Sequence, residues 1–153
     1  MSGACHECGA TLPEGGTCRD LFHALLLLES QMRGGPGETS HFLAVSGYVL
    51  QHPEGMNYTA EALAGSRRCV ADRLAGIVTM EQIRNDVRRA VDGSKRVTRR
   101  SGDPIIRWQV SAWPMNVAHV LAGGAEGYAS RVEAWARSIV LALDQAGADA
   151  ARR

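Results

Sequence analysis

Apolar residues recur along this chain at helical spacing, and glycine and proline interrupt the pattern between the segments. Cys18, Phe22, Leu25, Glu29 and Met32 follow steps of four and three, which stack them on one face of a helix. Thr17 and Asp20 form a variant capping box at the start of that helix. Gly34-Gly35-Pro36-Gly37 stops it just after Arg33. A second helix is predicted from Thr39 or Ser40 to His52, because Pro53 disfavours helix in the residue before it. His41, Val45, Tyr48 and His52 form its stripe. A third helix is expected from Thr59 to Ala75, and a fourth from Thr79, with Gln82 as capping partner, to about Val91. Residues 92–104 read as a polar loop, and 105–111 alternate as a short strand or extended segment does. Pro114 suits the first turn of a helix over 114–122. A last amphipathic helix over 126–146 carries Val132, Trp135, Ala136, Ile139, Val140 and Leu143 on one face. The expected fold is all-α, a compact bundle of about five to six helices. Residues 1–153 are expected to form one domain, in which a zinc-knuckle-like loop (1–17) packs on the bundle 18–146 and 147–153 trail as a disordered tail.

Composition agrees with a folded core. The chain has 153 residues, 45 % hydrophobic and 22 % charged, values of globular rather than disordered sequences. No apolar run approaches the roughly 20 residues of a spanning helix, and the N-terminus lacks a signal-peptide pattern. The expectation is a soluble cytoplasmic protein with no membrane partner. Net charge is only +1, but its distribution is uneven. Residues 1–62 hold Arg19 and Arg33 against seven acidic residues, whereas residues 63–107 hold eleven basic and five acidic ones. Within the segment 84–100, Arg84, Arg88, Arg89, Lys95, Arg96, Arg99 and Arg100 would suit phosphate binding and hence nucleic acid. No aromatic residue lies among them, and the acidic first third can equally match them within the chain or across a homodimer.

Candidate chemistry is concentrated in the first third. In a reducing compartment clustered thiols point to metal or redox use rather than disulfides. Cys5-His6-Glu7-Cys8-Gly9 is half of a zinc knuckle, and Cys18 is a natural third thiolate at the start of the first helix. If the two helices joined by the short Gly/Pro turn run antiparallel with their stripes facing, Cys18 meets His52 and Glu29 meets His41. The two pairs lie eleven residues apart along each helix, roughly 16 Å, too far for one ion to join. Cys5, Cys8, Cys18 and His52 therefore form a candidate Cys3His zinc site of structural type, the alternative being unligated thiols on a loose tail. Glu29 and His41 read either as a polar pair fixing helix register or as a general acid/base pair for hydrolysis or group transfer. Tyr48, on the same stripe, is able to donate to a substrate or to Glu29. His6, His23 and His119 read as surface residues, and Cys69 as a small buried hydrophobe. No phosphate-cradling loop, nucleotide fingerprint or nucleophile elbow is present. An unidentified small molecule or protein is the expected partner.

Cys5-x-x-Cys8-Gly9, Cys18 with Phe22 and the Leu25-to-Glu29 run, His41-x-Leu43-x-Val45, Tyr48-x-x-Gln51-His52-Pro53 and the late Val132-x-x-Trp135-Ala136-x-Ser138 together resemble a bacterial family. That family is catalogued as domain of unknown function 5946. The resemblance spans nearly the whole chain and supports grouping these residues, but it implies no particular reaction.

Overall fold

Local capping and one closely packed helix pair account for most of the architecture. The computed structural model describes residues 3–93 and 96–151. Its elements are α1 (Cys18–Gln31), α2 (Glu38–Gln51), α3 (Ala60–Leu74), α4 (Met80–Asp92), α5 (Val117–Ala122) and α6 (Tyr128–Ala151), with no strand among the described residues. The capping boxes form as expected. The Asp20 amide donates to Thr17 Oγ1 and Thr17 N–H returns a bond to the Asp20 carboxylate. Thr79 and Gln82 repeat this exchange at α4.

Two helix boundaries differ from expectation. The helix predicted over 114–122 begins at Val117, because Asn116 accepts from Ala118 N–H and holds the entry turn, leaving Pro114 outside. His119, which reads from the sequence as a surface residue, is exposed and completes that box by accepting from the Asn116 amide through Nδ1 at 3.0 Å. The last helix continues through Ala151, into the segment expected to be a tail, while Arg152 and Arg153 lie outside the described residues. Residues 105–111 are extended but pair with no strand. Their alternation instead places Ile106, Trp108 and Val110 against the helical core and leaves Ile105, Arg107 and Gln109 exposed.

Helix α2 is the centre of the molecule, packed on α3 and α6, with α5 bridging α1 and α6. Val132, Trp135, Ala136, Ile139 and Leu143 of α6 are buried, as the amphipathic pattern predicted. Gly47 permits the close approach of α2: a Cβ there would lie 3.3 Å from Ile139 Cδ1 and 3.7 Å from the Trp135 ring. Polar ties then fix the end of α2. Trp108 Nε1 donates to the Leu50 carbonyl at 2.6 Å, and Trp135 Nε1 to Gln51 Oε1 at 3.0 Å. The Gln51 amide donates to the Met115 carbonyl at 2.7 Å. Each buried indole thus finds an acceptor, and together with Gln51 they position the turn that begins at His52.

Candidate metal centre

Helices α1 and α2 oppose each other antiparallel through side chains. Near one end Cys18 faces His52, in the middle Phe22 stacks on Tyr48, and at the far end Glu29 meets His41. His52 is the C-cap of α2 (φ −130°, ψ 53°), so the backbone leaves the helix there and turns the ring toward the N-terminal loop. Its Nδ1 lies 2.7 Å from the Tyr48 carbonyl, which can only accept, so Nδ1 keeps its proton there and Nε2 is the nitrogen turned toward the sulfurs. That Nε2 lies 3.1 Å from Cys18 Sγ and 3.6 Å from Cys5 Sγ, and Cys8 Sγ lies 3.6 Å from Cys18 Sγ. All four donor atoms fall within 4.8 Å of one another and all four residues are buried. Bonds of about 2.3 Å to sulfur and about 2.0 Å to imidazole put tetrahedral edges at about 3.5–3.8 Å. The Cys5–His52 and Cys8–Cys18 separations already match that figure, and the cysteines are free rather than disulfide-bonded.

Electrostatics inside the cluster are those of protons shared among crowded donors. Hydrogen bonds from Cys18 and Cys8 draw the Cys5 thiol far below the ordinary thiol range, and the Cys5 and Cys8 sulfurs push Cys18 above it. Burial opposes charge on His52, but hydrogen bonds to the Cys5 and Cys8 sulfurs outweigh it and raise the imidazole to about 10. A cation entering here would displace these protons. Tyr48 stacks on the His52 ring with centroids 3.9 Å apart, and burial followed by the Cys18 charge pushes its hydroxyl upward. Tyr48, expected to donate to a substrate or to Glu29, therefore sits with the cysteine cluster instead of with Glu29.

The knuckle loop closes through Cys5 N–H to the Ala10 carbonyl and Gly9 N–H to the Cys5 carbonyl, both 2.8 Å, with Gly9 at φ +80°. Two contacts that sequence reasoning missed fasten it. The Glu7 carboxylate accepts from the amides of Glu54 and Gly55 at 3.0 and 3.1 Å, and Trp113 Nε1 donates to the Glu7 carbonyl at 2.9 Å. A Cβ at Gly55 would lie 2.8 Å from Glu7 Oε2 and displace the carboxylate from these amides. No local pattern marks Trp113, which lies 106 residues from Glu7. A cleft of about 280 Å3 opens beside the cluster and is bordered by Cys5, Cys18, Tyr48 and His52 but not Cys8.

Glu29 and His41 do meet, at 2.7 Å between Oε2 and Nδ1. The donor completing the carboxylate is Tyr128, whose hydroxyl lies 2.5 Å from Glu29 Oε1 and is pushed upward by burial and by that carboxylate. The pair is not wholly interior: the Glu29 side chain is 5 % exposed, but that of His41 is 56 % exposed. Exposure falls along α2 from His41 through Val45 to the buried Tyr48 and His52, so its first turn lies at the edge of the core. His6 and His23 are exposed, as expected. Cys69 is half-buried rather than buried, with burial pushing its thiol upward. Within the basic segment, Arg84 pairs with Glu38, Arg89 with Asp86 and Arg96 with Asp103, while Lys95 lies outside the described residues.

A family model described as a family of unknown function (DUF5946) matches residues 3–144. No curated protein and no solved structure matches the chain. No helix among the described residues is long and apolar enough to cross a membrane.

Proposed function

Since the chain belongs to the DUF5946 family, whose matched span takes in all four donors, we propose that it is a small zinc-binding protein. Cys5, Cys8, Cys18 and His52 would hold the ion as a structural centre. One observation carries this reading: four buried donors from the loop, α1 and the end of α2 converge within 4.8 Å. The Tyr48 carbonyl leaves His52 Nε2 free to join them. Three thiolates and one imidazole favour tetrahedral zinc, and four protein ligands leave no open position for substrate, which suits a structural ion. The metal would tie the loop to both helices and present that end of the bundle for interaction or regulation, in a cytoplasmic setting where thiols stay reduced. Replacing zinc by cobalt tests the donor set. Intense visible bands of tetrahedral cobalt, with sulfur-to-metal charge transfer in the near ultraviolet, are expected. A weak spectrum of octahedral, oxygen-ligated cobalt would overturn it.

A second reading draws on the chain Tyr128–Glu29–His41. A buried carboxylate holds Nδ1 of a largely exposed imidazole, an arrangement suited to general acid/base catalysis of hydrolysis or group transfer. A register role is the simpler use, because the Glu29 carboxylate ties α1 to His41 of α2 and to Tyr128 of α6. In that role Glu29→Gln should lower stability by about 1 kcal/mol, since amide and imidazole can still bond after a tautomer change. Zinc content should not change. An assayed hydrolytic or transfer activity that this variant abolishes, with folding intact, would favour the enzyme reading instead.

A further inference from the structure

We propose that Cys8 and Cys18 are a peroxide-oxidisable pair, whose joining as a disulfide releases the metal and makes the centre a redox-responsive one. This rests on the reading of the four residues as a metal centre. Two observations carry it. Cys8 and Cys18 Sγ lie 3.6 Å apart, so rotation of the side chains through about 1.5 Å reaches the disulfide length. Cys18 borders the adjoining cleft of about 280 Å3 whereas Cys8 does not, so a small neutral oxidant reaches one sulfur of the pair and leaves the other behind it.

The chemistry balances with hydrogen peroxide as oxidant. The Cys18 thiolate attacks one peroxide oxygen, an S–O bond forms, the O–O bond breaks and hydroxide leaves, giving a sulfenic acid. The Cys8 thiolate then attacks that sulfur, the S–S bond forms, the S–O bond breaks and a second hydroxide leaves. Two sulfurs are oxidised by two electrons in all, and the peroxide is reduced. Cys5 and His52 alone then remain as donors, too few to retain a tetrahedral ion. The Glu7 contacts to Glu54, Gly55 and Trp113 use no cysteine sulfur. They keep the loop in place while the ion leaves, so reduction can restore the site.

Full-length Cys69→Ser protein, which removes the half-buried thiol outside the cluster, is loaded with one zinc and treated with hydrogen peroxide. Zinc release is followed with a chromogenic chelator, and thiol state by non-reducing peptide mass spectrometry. Release of the whole zinc load is expected, in step with a mass loss of about 2 Da in a linked Cys8–Cys18 peptide. Dithiothreitol with added zinc should reverse both changes. Protein that binds zinc but keeps it, with all three thiols intact under excess peroxide, would overturn the redox inference alone. So would zinc loss by over-oxidation of Cys5 without a Cys8–Cys18 link. Protein that never takes up zinc would overturn the metal centre as well.

Discussion

Removing the metal with a chelator should lower the melting temperature by about 10 °C or more, and adding zinc back should restore it. An ion bound by the native state and not by the unfolded chain stabilises by about 4 kcal/mol once its free concentration exceeds Kd a thousandfold. Structural zinc centres often bind more tightly than that. In a chain of this size each kcal/mol moves the midpoint by about 2–4 °C. The effect is expected to be large here because the donors join three parts of the chain: the loop, the first residue of α1 and the cap of α2. Without the ion, that end keeps the Phe22–Tyr48–His52 stack and the Glu7 contacts. Differential scanning calorimetry with and without chelator measures the shift.

Replacing Trp135 by alanine should be the most damaging single change in the core. Its ring is fully buried on α6 against Gly47 of α2, and truncating such a residue costs about 3–5 kcal/mol. The same change removes the indole N–H from Gln51 Oε1, leaving a buried acceptor without its donor, which adds about 1–3 kcal/mol. Trp135→Phe separates the two contributions, because it keeps most of the apolar volume and loses only the hydrogen bond. Urea unfolding of both variants is the measurement. A loss under about 1 kcal/mol for Trp135→Ala would contradict the assignment of the α2–α6 contact as the core of the fold.

Where the sequence was informative, the controlling interactions were local. Thr17 with Asp20 and Thr79 with Gln82 are three residues apart and decide helix starts by themselves. The stripes on α1 and α2, combined with the short glycine-rich turn, were enough to place Cys18 beside His52 and Glu29 beside His41. Spacing alone did not reveal how far each pair sits from the core: on one stripe of α2, His41 is exposed, Val45 half-buried, and Tyr48 and His52 buried. Partners distant along the chain left no signal. Tyr128 reaches Glu29 across 99 residues and Trp113 reaches Glu7 across 106, and neither spacing has a period to detect. Alternation over 105–111 correctly indicated extended backbone with one face inward, but alternation reports burial and not the partner, which here is the helical core instead of a strand.

Elemental analysis of the protein purified under reducing conditions without added metal, measured beside Cys18→Ala, asks whether Cys5, Cys8, Cys18 and His52 hold one metal ion. About one zinc per chain is expected in the wild type and a marked loss of bound zinc in the variant. Folded wild-type protein free of zinc and of any other transition metal, or zinc retained in full by Cys18→Ala, would contradict it.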